Sequence, residues 1–177
     1  NLAGAGRLRD LIGQFGRENY RHCLNALNDY GRKLALSALD DIPDGCYEFV
    51  DYLDDDGQGN RDIRIQVAIT VTSARSIGGE KLVEVDFAGT APQVQGNINC
   101  PLSVAAAAVF YVFRCLMPPQ TPACAGTFSV LAVKAPKGCL LNAEYPAAVA
   151  AGNVETSTRA VDAVLGALAK ALPERIP

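Results

Sequence analysis

Residues 63–72 read Ile-Arg-Ile-Gln-Val-Ala-Ile-Thr-Val-Thr, and this stretch decides the fold class. Branched apolar side chains occupy every second position. Because successive side chains of a strand point to opposite faces of a sheet, the alternation predicts a strand with one buried face. A Gly78-Gly79 pair then predicts a turn, and the alternation resumes over residues 83–87. The two runs are therefore expected to pair as an antiparallel hairpin.

A further strand is predicted just upstream. Pro43-Asp44-Gly45 is a turn signal, and the run that follows places Tyr47, Phe49 and Leu53 on one strand face. The acidic stretch 54–59 then turns the chain. It could be read as a calcium loop, but position twelve of such a loop needs a bidentate acid and is Ile65 here. An exposed hairpin turn is the favoured interpretation.

Helical periodicity dominates both ends of the chain. Two amphipathic helices are predicted before residue 41, with a break at Gly16, and a last helix is predicted after Asn153, which can cap it. The stripe of the second helix comprises Tyr20, Cys23, Leu24, Leu27, Leu34 and Ala38.

The middle of the chain predicts one more helix and one more strand. The helix spans Leu102 to Leu116 and is apolar nearly all round, so it should be covered on most sides. The strand spans Phe128 to Ala135, before a turn at Pro136-Lys137-Gly138. Helices and strands thus come in separate blocks. They predict an α+β fold with a mostly antiparallel sheet, in which residues 1–177 form a single domain or a fragment of a larger subunit.

Composition excludes several classes of protein. The chain has 177 residues, of which 49% are hydrophobic, and a formal net charge of −3. No basic run suits nucleic acid, and the stretch 101–117 is too short to cross a membrane. No secretion signal is recognisable, so we expect a cytoplasmic protein that begins as a cut inside a longer chain.

The six cysteines lack CxxC spacing and are expected to be free thiols. The only histidine, His22, is expected on a solvated helix surface.

Two polar segments run into the beginnings of apolar helices. We name them the Gly96 segment, residues 89–99, and the Gly152 segment, residues 152–157. Glycine lets backbone approach a ligand, while Asn amides and free helix N–H groups can hold oxygen atoms. The pair could line one substrate cleft, or the Gly-Asn pairs could only turn and cap the chain. No catalytic residue is identified, because a nucleophile elbow, a phosphate loop and a dinucleotide motif are all missing from the sequence.

At these segments the sequence resembles the hydantoinase B/5-oxoprolinase family, which includes B subunits of N-methylhydantoinases and related acetone carboxylase subunits. The matching sequence motifs are Asp86-Phe87-Ala88-Gly89-Thr90, Gly96-Asn97-Ile98-Asn99-Cys100-Pro101 and Ala151-Gly152-Asn153-Val154-Glu155-Thr156-Ser157. The acidic turn resembles the same family's hairpin, so the likeness covers nearly the whole chain.

The resemblance implies an ATP-dependent hydrolase that opens a cyclic amide such as hydantoin, N-methylhydantoin or 5-oxoproline. It implies a hydantoinase A-like partner that binds ATP, an oligomeric assembly, and a divalent metal held by His and Asp residues. With one histidine, this fragment is expected to bind no cofactor and to be inactive alone. The substrate-facing positions implied are Asn97, Asn99, Asn153, Glu155 and Thr156, with Asp86 and Thr90 shaping the loop.

Two alternatives stay open from the sequence. The fragment could belong to an acetone carboxylase-type ATP-dependent carboxylase, because the resemblance does not separate the two reactions. It could also be a non-catalytic scaffold or interface domain, in which the apolar helix is covered by a partner.

Overall fold

A four-stranded sheet and the helices packed on it make up the computed structural model, which describes residues 1–73 and 81–176. In chain order the elements are α1 (Leu2–Phe15), α2 (Arg17–Leu39), β1 (Gly45–Asp55), β2 (Arg61–Ser73), β3 (Lys81–Asp86), α3 (Leu102–Leu116), α4 (Ala125–Phe128), β4 (Leu131–Lys134) and α5 (Glu155–Ala169). A 3-10 turn, Ala151–Asn153, directly precedes α5. The predicted Gly78-Gly79 turn lies outside the described residues.

The strands follow the order β1-β2-β3-β4. Both hairpins are antiparallel, with Phe49 opposite Val67 and Ile69 opposite Val85. Strand β4 lies parallel to β3, because α3 and α4 carry the chain back to the same end of the sheet before β4 begins. The predicted α+β class with a mostly antiparallel sheet is confirmed.

The core lies on one face of this sheet. The odd-numbered apolar residues of β2, from Ile63 to Val71, are buried, whereas Thr70 and Thr72 are exposed. Helix α5 packs against β1 and β2, and α3 packs beside α5. Burial of the alternating apolar positions against these helices fixes the register of the strands, because a slip by one residue would expose them all.

Helix α2 buries a different surface from that predicted, whereas α3 agrees with its prediction. Helix α2 buries Gly31, Ala35 and Leu39, because its second half packs on α4. None of its predicted stripe is fully buried, and half of that stripe is exposed: Cys23, Leu24 and Leu27. At the contact with α4 a Cβ on Gly31 would lie only 2.5 Å from Thr127 Oγ1. Helix α3 has the predicted bounds and, as predicted, is covered on most sides; only the stripe of Ser103, Ala107, Tyr111 and Cys115 is exposed, with Tyr111 at 61%.

The fourth strand is shorter than predicted. The predicted strand began at Phe128, but Phe128 is the last residue of α4, since the backbone N–H of Gly126 donates to Asn28 Oδ1 at 2.9 Å and holds that turn against α2. Phe128 also stacks on Phe110, with ring centroids 4.7 Å apart. Across the described part of the chain, no helix has both the length and the hydropathy needed to span a membrane.

Candidate functional site

The Gly96 and Gly152 segments lie directly against each other. The carbonyl oxygen of Asn97 accepts hydrogen bonds from Ala151 N at 2.9 Å and from Gly152 N at 3.2 Å. The Thr156 hydroxyl donates to the carbonyl oxygen of Ile98, and the Cys100 thiol donates to the Gly152 carbonyl oxygen at 2.9 Å. The segments that precede α3 and α5 are therefore joined at one place, as the sequence had suggested.

Close approach at this junction requires a glycine. A Cβ placed on Gly152 would lie 2.0 Å from the carbonyl oxygen of Asn99, far inside van der Waals contact. Any side chain at this position would push the two segments apart. The glycine is thus explained by backbone packing between the segments, independently of any ligand.

Asn99 is the centre of the Gly96 segment. Its side chain is fully buried, and Nδ2 lies 2.9 Å from the carbonyl oxygens of Val94, Gly96 and Ala148. Its Oδ1 accepts from Val94 N at 2.8 Å. All of the polar capacity of this amide is used within the chain, so in this structure Asn99 stabilises the loop and does not face a cleft.

Three other predicted site residues also bond inward. Thr156 is buried on Ile98, and the Thr90 hydroxyl lies 3.1 Å from both the N and the O atom of Gln66. Asp86 is half-buried and accepts from Ala88 N at 2.9 Å, which shapes the loop that starts there. These contacts give Thr90, Asp86 and Thr156 roles in holding the backbone of the two segments.

Asn97, Asn153 and Glu155 have a different placement. All three are exposed, and their side chains make no hydrogen bond or ion pair within the described residues. Asn153 lines a groove of about 480 Å³ between α3 and α5, together with Ser103, Tyr111 and Ser157. The buried members of the predicted set thus anchor the junction, and these three remain available to a ligand.

The predicted cap of α5 by Asn153 is wrong. Asn153 belongs to the 3-10 turn, Val154 occupies the cap position, and no side chain caps this helix end. The Ser157 hydroxyl instead donates to the carbonyl oxygen of Asn153 at 2.9 Å. Because the chain turns through a 3-10 turn before α5, the Asn153 amide is displaced from the N–H groups it would have to accept from.

Asp56 is a buried anchor that the sequence did not reveal. The predicted hairpin turn is present at residues 56–60, but Asp56 is only 6% exposed. Its carboxylate accepts from Asn60 Nδ2 at 2.6 Å and from the backbone N–H groups of Gln58, Asn60 and Gly96. These hydrogen bonds, that from the Asn60 side chain first, hold the pKa of Asp56 below its ordinary value against the opposing effect of burial. Nothing in the sequence distinguishes Asp56 from its exposed neighbours Asp54 and Asp55.

The thiols and the histidine do not form a metal centre. All six cysteines are free, as predicted, and burial raises the pKa of Cys100 to about 11. His22 is exposed on α2, as expected from its polar neighbours. Among residues 1–73 and 81–176, no group of three His, Cys, Asp or Glu side chains is placed to hold a metal ion. The divalent metal implied by the resemblance therefore does not fit the residues described, and no chemical step is assigned to it.

Comparison with known proteins gives the same relationship by sequence and by structure. An uncharacterized protein of Methanocaldococcus jannaschii is 32% identical over 98% of this chain and 29% of its own length. The 5-oxoprolinase 1 of Arabidopsis thaliana is 38% identical over 94% of this chain and 13% of its own length. The crystal structure of the ATP-dependent caprolactamase from Pseudomonas jessenii superimposes with a TM-score of 0.78 at 28% identity, over 98% of this chain and 29% of that chain.

The chain thus spans less than a third of each of these relatives, although nearly all of the chain is matched. The family profile described as Hydantoinase B/oxoprolinase covers residues 1–177, which include the junction of the Gly96 and Gly152 segments. This chain belongs to the hydantoinase B/oxoprolinase family.

Proposed function

We propose that these residues form one domain in the B part of a cytoplasmic, ATP-dependent enzyme that hydrolyses a five-membered cyclic amide: hydantoin, N-methylhydantoin or 5-oxoproline. The observation that carries this proposal is the junction of the Gly96 and Gly152 segments, which leaves Asn97, Asn153 and Glu155 exposed and unbonded within the described chain. Membership of the hydantoinase B/oxoprolinase family supports the choice of reaction.

The residue types suit the proposed substrate class. A cyclic amide presents a carbonyl oxygen that accepts and a ring N–H that donates. Asn97 and Asn153 each offer an NH2 donor and a carbonyl acceptor, and the Glu155 carboxylate accepts only. In the proposed site the two amides bind substrate carbonyl oxygens, and Glu155 accepts from a ring N–H.

Rigid support is the second requirement of such a site. Hydrogen-bonding groups select a substrate only if the backbone that carries them is held in place. Here the buried Asn99 fixes the Gly96 segment, and the buried Thr156 ties it to the beginning of α5. We assign Asn99, Thr156 and Thr90 to this supporting role, and Asp86 to the shape of the loop.

The remaining chemistry is assigned to other parts of the enzyme. An unactivated amide has a poor leaving group, so ATP supplies the activation, and a hydantoinase A-like partner is proposed to bind it. The complete assembly is proposed to be oligomeric and to hold its divalent metal outside these residues. We therefore expect the 177-residue chain alone to show no turnover.

Kinetics of the complete enzyme with its partner test the proposal. Asn97→Ala and Glu155→Gln should each lower kcat/KM for the preferred cyclic amide by about tenfold to a hundredfold, the usual effect of losing a substrate hydrogen bond. Their melting temperatures should not change, because both side chains are exposed. Asn25→Ala is the matched control, since Asn25 is exposed on α2, far along the chain from the junction.

Three results would count against the proposal. Unchanged kinetics in both variants would remove these residues from the site. Consumption of acetone with bicarbonate, and not of hydantoins or 5-oxoproline, would assign the chain to a carboxylase. Turnover by the chain without its partner would contradict the division of chemistry proposed above.

A further inference from the structure

A second cleft lies at the turn end of the β1–β2 hairpin. It has a volume of about 580 Å³, within the range of roughly 300 to 1,000 Å³ that is usual for small-molecule sites. One wall is the beginning of β2, and the other is residues 91–95, which are tied to β2 where Ala91 N donates to the carbonyl oxygen of Arg64 at 2.9 Å. The cleft is therefore a fixed feature of two bonded chain segments.

The cleft has an apolar floor and a charged rim. Ala91 and Val94, both half-buried, provide apolar contact surface, while Arg61, Asp62 and Arg64 bring charges of both signs. Neither guanidinium has a hydrogen bond or ion pair anywhere in residues 1–73 and 81–176, and Asp62 likewise makes no ion pair there. Two cations and one anion are thus available to a ligand around a small apolar surface.

The backbone at the centre of this rim is unusual. Asp62 has φ of 51°, the one residue other than glycine with positive φ in the described chain. L side chains rarely adopt this region inside a strand, and Asp and Asn tolerate it best. The left-handed turn falls between the two arginines, at the place where the cleft is lined by all three charged side chains.

Charge decides which ligand class fits. Guanidinium groups bind carboxylates with paired hydrogen bonds, so the arginines favour a carboxylate. A bare anion such as phosphate would also meet the carboxylate of Asp62, with Asp54 and Asp55 close by at the end of β1. A molecule that carries a carboxylate and an ammonium group joined by a short aliphatic chain satisfies both signs and the apolar floor.

We propose that this cleft binds a small open-chain amino acid, the kind of molecule that hydrolysis of a lactam such as 5-oxoproline releases. Its carboxylate is held by Arg61 and Arg64, its ammonium group by Asp62, and its methylene groups lie on Ala91 and Val94. The identification of the ligand as a reaction product rests on the proposed function, whereas the binding itself needs no turnover.

Calorimetric titration of the 177-residue chain with L-glutamate, the open-chain form of 5-oxoproline, tests this inference. Glutamate should bind, and glutarate, which lacks the ammonium group, should bind at least tenfold more weakly. Arg64→Gln and Asp62→Asn should each weaken glutamate binding about tenfold. Asn at position 62 keeps the left-handed backbone, so this variant changes charge without changing the turn.

Arg7→Gln is the control for a general loss of positive charge, because Arg7 is exposed on α1 and also has no partner in the described chain. Failure of glutamate to bind at tens of millimolar would overturn the inference, as would equal binding of glutarate and inorganic phosphate. An equal loss of affinity in Arg7→Gln would also overturn it. None of these results depends on the kinetics of Asn97 or Glu155, so the two proposals fail separately.

Discussion

The backbone N–H of Gly96 donates a 3.3 Å hydrogen bond to Oδ2 of Asp56, forty residues away in the chain. The same contact leaves no room for a side chain on Gly96, because a Cβ there would lie 2.1 Å from the carbonyl oxygen of Asp56. The acidic hairpin turn is thereby joined to the Gly96 segment, which in turn is bonded to the beginning of α5. A local turn thus helps to position the candidate site.

Gly96→Ala should destabilise the chain by about 1 to 3 kcal/mol, the usual cost of forcing a methyl group into packed backbone. The substituted Cβ would overlap Asp56, so the turn and the segment would have to separate. Urea unfolding followed by circular dichroism measures the change. Gly13→Ala on α1 is the control: nothing lies within 4 Å of a Cβ there, and stability should stay the same or rise slightly. Equal stability of Gly96→Ala and the unsubstituted chain would show that the contact is not tight.

Asp56 should make stability depend on acid pH. Its pKa in the folded chain is below the ordinary value, chiefly because the Asn60 side chain donates to the ionised carboxylate. The unfolded chain therefore binds the proton more readily, so the stabilisation is fully present above the unfolded pKa of about 3.9 and is lost as pH falls through the lower folded pKa.

Urea unfolding of the unsubstituted chain and of Asp56→Asn, repeated from pH 7 down to pH 3, checks this sign. The difference in free energy of unfolding between the two should be constant above about pH 5 and shrink below about pH 4. Asp54→Asn is the matched control, since the Asp54 side chain is exposed and its carboxylate makes no hydrogen bond within the described residues. A difference that grows toward low pH would contradict the assignment.

Local pattern was sufficient to predict the strands and helices whose burial is decided by their own sequence. Alternation over residues 63–72 predicted β2, and a proline followed by apolar residues predicted the bounds of α3. Local pattern failed where a contact with a residue far away in the chain determines the local structure. Residues 125–128 form a helical turn because α2 lies against them, and Asp56 is buried because Gly96 reaches it. Neither partner is near in sequence.

The candidate site was likewise predicted only in part. The sequence identified the two segments, but it treated Asn97 and Asn99 alike, although one is exposed and the other is fully buried. Residues two apart in irregular backbone follow no fixed period, so their orientation depends on which carbonyl groups surround them. The three carbonyl groups around Asn99 include that of Ala148, which only the folded chain brings near.

Thr156→Val should destabilise the chain by about 1 to 3 kcal/mol, because it leaves the buried carbonyl oxygen of Ile98 without its donor while keeping the shape of the side chain. Thermal and urea unfolding measure the loss. Thr72→Val is the matched control, because Thr72 is exposed on β2 and its hydroxyl makes no hydrogen bond in the described part of the protein. If both variants unfold alike, the hydroxyl of Thr156 does not support the junction.

Cys100 should resist alkylation in the folded chain. Burial raises the pKa of its thiol to about 11, and the thiol donates to the Gly152 carbonyl oxygen. At pH 8 about one molecule in a thousand would carry the thiolate, so reaction with iodoacetamide should be roughly 200-fold slower than for a free cysteine of pKa about 8.5, before any steric effect. Mass spectrometry after timed labelling should find exposed Cys23, Cys46 and Cys115 modified first. Labelling in urea, where all six thiols are accessible, is the control. Equal labelling rates for Cys100 and Cys46 without urea would mean that the junction opens in solution.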